Sequence, residues 1–253
     1  MSSSKTEAAR AALEYVVQEF DSLLTEPKRE RPFILGLGTG STVAEFWPLL
    51  AEYLRRRNIA NFYIVPTSHQ SRQLVMQTSR GYPLVDLDQF NRVDCLVDGF
   101  DAACPRDMSM IKGGGGAHVC EKLVALRAKC RIYVGTEDKI VQSLGDAAAP
   151  IPVEVVPAAV GLVLLHAEQQ GWRAMVREAK GGKVGPVISD GGNVIVDLYI
   201  PQDLFHQSKV PSLEVSIQAI TGVVGCGLFV ALADTFIVAG SNGAVMRYGV
   251  GGE

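Results

Sequence analysis

The sequence predicts an α/β fold: a mostly parallel sheet with helices on both faces, Rossmann-like, plus a smaller inserted α+β domain. Three observations predict it. Short apolar runs lead into glycine-rich or polar turns, stretches with apolar residues at helical spacing follow them, and the alternation changes character between Ile151 and about Val223. Strands alternating with helices pack as a parallel sheet covered on both sides. The α/β catalytic domain is therefore expected over residues 1–149 and 224–253, with 150–223 as the insertion.

The first helix starts near Ser4, where Ala9, Ala12, Leu13, Val16, Phe20, Leu23 and Leu24 recur at helical spacing, and Pro27 and Pro32 end it. Phe33-Ile34-Leu35-Gly36-Leu37 is an apolar strand running into a glycine-rich turn. From Ser41 a second helix buries Val43, Phe46, Leu49, Leu50 and Leu54. Further strands are predicted at Phe62–Val65, Cys95–Val97, Arg131–Val134 and Thr235–Val238, with helices at Ser71–Ser79 and Glu121–Lys129. Within the insertion, Val153–Val156, Val194–Leu198 and Leu213–Ile220 alternate differently, and the Gly181–Gly185 loop interrupts them. The chain is expected to return to the first sheet at Gly227–Ala233 and Thr235–Ala239.

Composition narrows the function classes. Of 253 residues, 47% are hydrophobic and 20% charged, the balance of an ordinary globular protein. A net charge of −3 offers no basic stripe for nucleic acid, so no nucleic-acid partner is expected. No run approaches the roughly 18 apolar residues that a membrane span needs, and the polar stretch Met1–Arg10 lacks a secretory pattern. The five cysteines are scattered and form no CxxC pair, which suits a reducing, cytoplasmic location rather than a disulfide or zinc framework.

Three motifs carry chemistry. In Gly36-Leu37-Gly38-Thr39-Gly40-Ser41-Thr42, glycines let the backbone approach a ligand and the helix start offers free N–H groups to an anion such as phosphate. The dinucleotide fingerprint would need glycine where Ser41 stands, no acidic residue closes Phe62–Val65, and there is no Walker lysine. A tight turn with a capped helix suits the same residues. Next, Asp98-Gly99-Phe100-Asp101 puts two carboxylates at the C-terminal end of a strand, for proton transfer, for cation binding, or simply as turn formers. Last, Lys112-Gly113-Gly114-Gly115-Gly116 precedes Glu121. Successive glycines are entropically costly, so a ligand approaching the main chain is the economical explanation, with a flexible loop as the alternative. An anion cradle, carboxylates and a lysine together suit enolisation of a phosphorylated carbonyl compound. His69, His118, His166 and His206 are isolated, and the His118–Glu121 pair has no evident third ligand, so no metal site is expected.

The order GLGTGST, DGxD, IKGGGGA with EKLVA, PIPVEVVP, GPVISDGGNVIVD and ITGVVGCGLF resembles the ribose-5-phosphate isomerase A family along nearly the whole chain. The resemblance implies interconversion of ribose 5-phosphate and ribulose 5-phosphate without a cofactor, in a homodimer or homotetramer joined through the smaller domain. It implies that Glu121 is the base moving a proton between C1 and C2, that Asp98 assists ring opening, that Lys112 stabilises negative charge, and that Asp101 completes the acidic cluster. The phosphate is expected against Thr39, Gly40, Ser41 and Thr42, with Lys139 and Lys5 as charged partners and Gly113, Gly114 and Gly115 lining the substrate. Two departures stand out: the family's DGADE reads here with Phe100 and Ala102, and its DNGN reads Asp190-Gly191-Gly192-Asn193. Retention of Glu121 and Lys112 favours catalysis over a sugar-phosphate sensor. The GTGST turn argues against an acyl-CoA transferase with a glutamate nucleophile.

Overall fold

The computed structural model describes residues 3–25, 31–78, 81–182, 184–205 and 209–249. Pro27, Ser79, His206 and Lys183 of the Gly181–Gly185 loop lie outside them, as do the side chains of Leu23 and Leu24. The chain divides into two compact units. The first runs to Gly99 and adds Cys120–Asp138 and the chain from Ala233; the second comprises Phe100–Val119 and Lys139–Leu232.

In chain order the first unit opens with α1 (Ser4–Thr25), β1 (Phe33–Leu37), α2 (Ser41–Arg56), β2 (Phe62–Pro66), α3 (His69–Thr78) and β3 (Val93–Gly99). Then β4 (Ala102–Cys104) and β5 (Ser109–Ile111) belong to the second unit, before α4 (His118–Arg127) leads into β6 (Ala128–Thr136) of the first. The second unit continues with β7 (Ile151–Val155), α5 (Val160–Gln169), β8 (Arg173–Val176), β9 (Val194–Tyr199), α6 (Val210–Gln218), β10 (Val223–Cys226) and β11 (Leu228–Phe229). The first unit closes with β12 (Thr235–Ala239) and β13 (Val245–Gly249).

The first unit is the expected α/β layer: a six-stranded sheet in the order β13-β12-β6-β3-β1-β2, parallel except for β13 at its edge. Because side chains alternate across a strand, one face carries Leu35, Leu37, Cys95, Val97, Ile132 and Val134, which pack with α1 and α2 residues such as Val16, Phe46, Trp47 and Leu50. Burying each large side chain of this kind contributes roughly 1.5–3 kcal/mol. The opposite face carries Gly36, Leu96, Asp98 and Tyr133, which the strand register brings side by side. There α4 packs: a Cβ on Gly36 would lie 2.6 Å from Val124 Cγ1.

The second unit is α+β, with a four-stranded antiparallel sheet β10-β7-β9-β8 and a three-stranded sheet β11-β5-β4. Val153, Val155, Val196 and Leu198 share a core with Val163 of α5 and Ile217 of α6. Three expectations are corrected. Leu213–Ile220 lies mostly in helix α6, whose buried Val210, Leu213 and Ile217 follow helical spacing. The stretch Gly227–Ala233 does not rejoin the first sheet, because β11 pairs antiparallel with β5. The helix at Glu121–Lys129 starts earlier, at His118, and yields Ala128 and Lys129 to β6.

Candidate active site

The first unit supplies one group of residues, at the C-terminal ends of β1 and β3. The chain leaves β1 through Gly38, whose N–H donates to Val97 O at 2.9 Å. A Cβ on Gly38 would stand 2.1 Å from Asp98 Oδ1, so only glycine lets the turn cross this aspartate. Asp98 is 0% exposed, and its Oδ1 accepts the N–H groups of Thr39 at 3.0 Å and Gly99 at 2.7 Å. The Thr39 hydroxyl lies 2.9 Å from that of Thr67 and donates to Ser68 Oγ at 2.7 Å, while Gly40 N–H donates to Gln70 Oε1 at 3.1 Å. Beyond it Ser41 is exposed and Thr42 buried on the first turn of α2. The leading N–H groups of a helix have no helical acceptor and carry the positive end of its dipole, so this turn attracts anions.

Glu121 is buried on the first turn of α4. Residues three apart share a helix face, so Glu121 lies on the same sheet-facing side as Val124, over the face that carries Asp98 and Tyr133. The Tyr133 hydroxyl is pushed well above its ordinary pKa, first by burial and then by the charges of Asp98 and Glu121. It remains a neutral O–H at any ordinary working pH.

The second unit holds a separate group of the candidate residues. Asp101 donates its N–H to Ile111 O at 2.9 Å, and its Oδ2 accepts the Gly114 N–H at 2.7 Å. Lys112, 2% exposed, is anchored by its N–H to Gly227 O at 2.8 Å, with its ammonium 5.8 Å from the Phe229 ring centre. Gly113 has φ of +106°, and a Cβ there would meet His118 Nδ1 at 2.7 Å, so this position is closed to other residues. Gly116 N–H returns to Gly113 O at 2.9 Å, which makes the glycine block a turn, with Gly114 and Gly115 exposed at its tip. Arg177 fastens the turn: one nitrogen donates to Gly113 O at 2.8 Å and Gly114 O at 3.1 Å, while the guanidinium pairs with Asp197. Lys139 Nζ donates to Phe100 O at 2.7 Å. Lys5 is exposed near the start of α1. Among the described residues no three of His, Cys, Asp and Glu gather to hold a metal ion, and His118 Nε2 lies 3.3 Å from Gly225 O.

The sequence motifs do not single out Thr67, Ser68, Gln70, Tyr133 or Arg177. Thr67 and Ser68 carry a usable signal, polar residues directly after the apolar β2, whereas Tyr133 and Arg177 reach their positions only through long-range pairing.

The chain matches the family model described as Ribose 5-phosphate isomerase A (phosphoriboisomerase A) over residues 63–243. The ribose-5-phosphate isomerase A of Archaeoglobus fulgidus is 37% identical over 241 residues, covering 95% of this chain and 96% of its own. This chain belongs to the ribose 5-phosphate isomerase A family. The namesake of Prochlorococcus marinus is 40% identical over 210 residues, covering 83% and 87% of the two chains. The solved ribose 5-phosphate isomerase A of Methanocaldococcus jannaschii superposes with a TM-score of 0.82 at 32% identity, over 97% of this chain and 98% of its own. A D-ribose-5-phosphate isomerase solved in complex with phospho-erythronic acid gives 0.83 at 32% identity, over 98% and 100%.

The two departures of this chain from the isomerase A pattern have structural accounts. The Phe100 ring is 2% exposed and lies 5.9 Å from Lys139 Nζ, so it is folded away from solvent beside that lysine. At the second, Asn193 Nδ2 and Ser189 Oγ each donate to Glu154 Oε1 at 2.8 Å, so the Asp190–Asn193 segment is a turn wrapped around a buried glutamate.

Proposed function

We infer that this protein is an aldose–ketose isomerase that interconverts D-ribose 5-phosphate and D-ribulose 5-phosphate through an enediolate. Membership of the isomerase A family carries the reading, and the buried carboxylates support it: Asp98 at 0% and Glu121 at 4% exposure are held on one face of one sheet. A carboxylate in so dry a setting is a strong base towards a carbon-bound proton. In this reading Asp98 assists opening of the sugar ring. Glu121 removes the C2 proton of the open aldose and returns it to C1, while a proton passes between the two neighbouring oxygens. Lys112 stabilises the negative enediolate oxygen, and Asp101, tied to Gly114, holds the glycine turn that lines the sugar through Gly113, Gly114 and Gly115. Thr39, Gly40, Ser41 and Thr42 receive the phosphate, with Lys139 and Lys5 as its charged partners. A relative solved with phospho-erythronic acid, itself a phosphorylated sugar acid, supports a ligand of that charge.

Conversion of ribose 5-phosphate by the purified protein and its Glu121→Gln variant tests this. Turnover should fall about a thousandfold in the variant, within the range set by losing a general base, with sugar-phosphate binding retained. Equal loss of binding and turnover would remove Glu121 from the role of base.

A cytoplasmic homodimer or homotetramer completes the reading. Exposed Leu162, Leu165 and Val215 on α5 and α6 of the second unit support an oligomer contact within the 150–223 region. A monomer by light scattering would dismiss it. Among the described residues no helix is long and apolar enough to cross a membrane.

A further inference from the structure

Tyr133 stands where neither the sequence motifs nor the family pattern placed a functional group. It is 0% exposed, in the middle of β6, on the sheet face that carries Asp98. The parallel register pairs Tyr133 directly with Asp98 on one side and with Phe236 on the other. Neighbouring strands lie about 4.8 Å apart, so the phenol stands next to the Asp98 side chain. The Phe236 ring, 6.1 Å away centre to centre, closes the opposite flank. From above, α4 brings Glu121 over this same face, one turn before the Val124 that rests on Gly36.

Four charged groups bear on the hydroxyl: Asp98 from β3, Glu121 from α4, Arg131 from its own strand and Asp234 from the turn before β12. Arg131 and Asp234 are paired with each other, Nη2 to Oδ1 at 2.7 Å and Nε to Oδ2 at 2.9 Å, so their fields largely cancel. The two carboxylates remain. A group buried in the core for packing alone would be served as well by phenylalanine; a hydroxyl on the same sheet face as two buried acids has a chemical consequence, because an O–H dipole favours the ionised form of a nearby carboxylate.

We propose that Tyr133 is a positioning residue of the isomerase reaction, its buried hydroxyl sharing the sheet face of Asp98 and Glu121 and favouring their ionised forms. The raised pKa of the phenol fits that task, since it stays a proton donor wherever the enzyme works. The role rests on the isomerase reading above, in which these two acids handle the protons.

The test is the pH dependence of kcat in Tyr133→Phe, which keeps the ring and removes only the oxygen. We expect kcat near neutrality to fall about tenfold with KM within twofold, and the acidic limb of the kcat profile to move up by about one pH unit, because the base loses the dipole that favoured its charge. An acidic limb that stays in place overturns the proposal, whatever the change in rate. If Tyr133→Phe does not fold, site-specific 3-fluorotyrosine, a stronger donor of nearly the same shape, should move the limb down instead; no movement overturns it equally. Carbon-13 titration of the Asp98 and Glu121 carboxyls, identified through Asp98→Asn and Glu121→Gln, needs no turnover. If the unmodified protein fails to convert ribose 5-phosphate, the isomerase reading falls. The carboxyl midpoints, moved up in Tyr133→Phe or unmoved, still decide whether Tyr133 governs the two acids.

Discussion

At the N-terminal end of β3, Asp94 is 2% exposed and meets Arg31 through two contacts, Oδ1 to Nη2 at 2.6 Å and Oδ2 to Nη1 at 3.0 Å, while Oδ2 also accepts the Ile34 N–H at 2.9 Å. At the other end of the same strand Asp98 is 0% exposed and is held by the N–H groups of Thr39 and Gly99. Same residue type, same strand and the same burial therefore stand in two different settings. Asp94 is matched by a forked cation and stitches the segment before β1 to β3, as a bidentate pair does. Asp98 is oriented by the backbone of a glycine turn at the sheet edge where open α/β sheets take their ligands. What separates the two acids here is the partner and the end of the strand, and neither can be read from burial alone.

The widest way to break this contrast is Asp98→Asn. The amide oxygen still accepts the Thr39 and Gly99 N–H groups, so the fold should lose less than about 1 kcal/mol in urea unfolding. The charge needed for proton handling is gone, and kcat should drop about a hundredfold or more. A variant that unfolds in step with its loss of activity would make Asp98 a second Asp94.

The converse change, Asp94→Asn, should cost stability and spare chemistry. Removing one partner of a buried ion pair strands the other charge, at several kcal/mol. Arg31 is 37% exposed and regains water, so about 2 kcal/mol is expected. Urea unfolding measures this directly, and kcat/KM per folded molecule should stay within twofold. Lost turnover in a protein that remains folded would contradict the division of labour.

Much of this contrast is legible in the order of the residues, and the part that is not has a physical reason. The apolar run Phe33–Leu37 followed by Gly38-Thr39-Gly40 announces a strand and a glycine turn, because the period of the pattern and the glycines are local properties. Asp98 can be singled out because it follows an apolar run and precedes glycine. Asp94 cannot, since its meaning depends on Arg31, 63 residues away. Tyr133 reads as one more apolar residue of a core strand until the register sets it against Asp98. The three-residue strands β4 and β5 are too short to show a period, so the Lys112 turn is recognisable by its glycines while the small sheet that holds it is not. The edge strand β13 buries none of its residues Val245–Gly249, so it has no apolar face to announce it.

Ser41→Ala sharpens the comparison at its quiet end. Ser41 is exposed on the first turn of α2, so it carries neither the packing load of Asp94 nor the buried charge of Asp98. Losing its hydroxyl should leave stability within about 0.5 kcal/mol. If the hydroxyl donates to the substrate phosphate, one hydrogen bond worth about 1 kcal/mol disappears from ground state and transition state alike, which raises KM about fivefold and leaves kcat unchanged. The neighbouring backbone N–H groups at the helix start still hold the anion, which keeps the loss small. A fall in kcat at constant KM would mean that the hydroxyl acts on the reacting carbons, and an unchanged KM would take Ser41 out of the phosphate site.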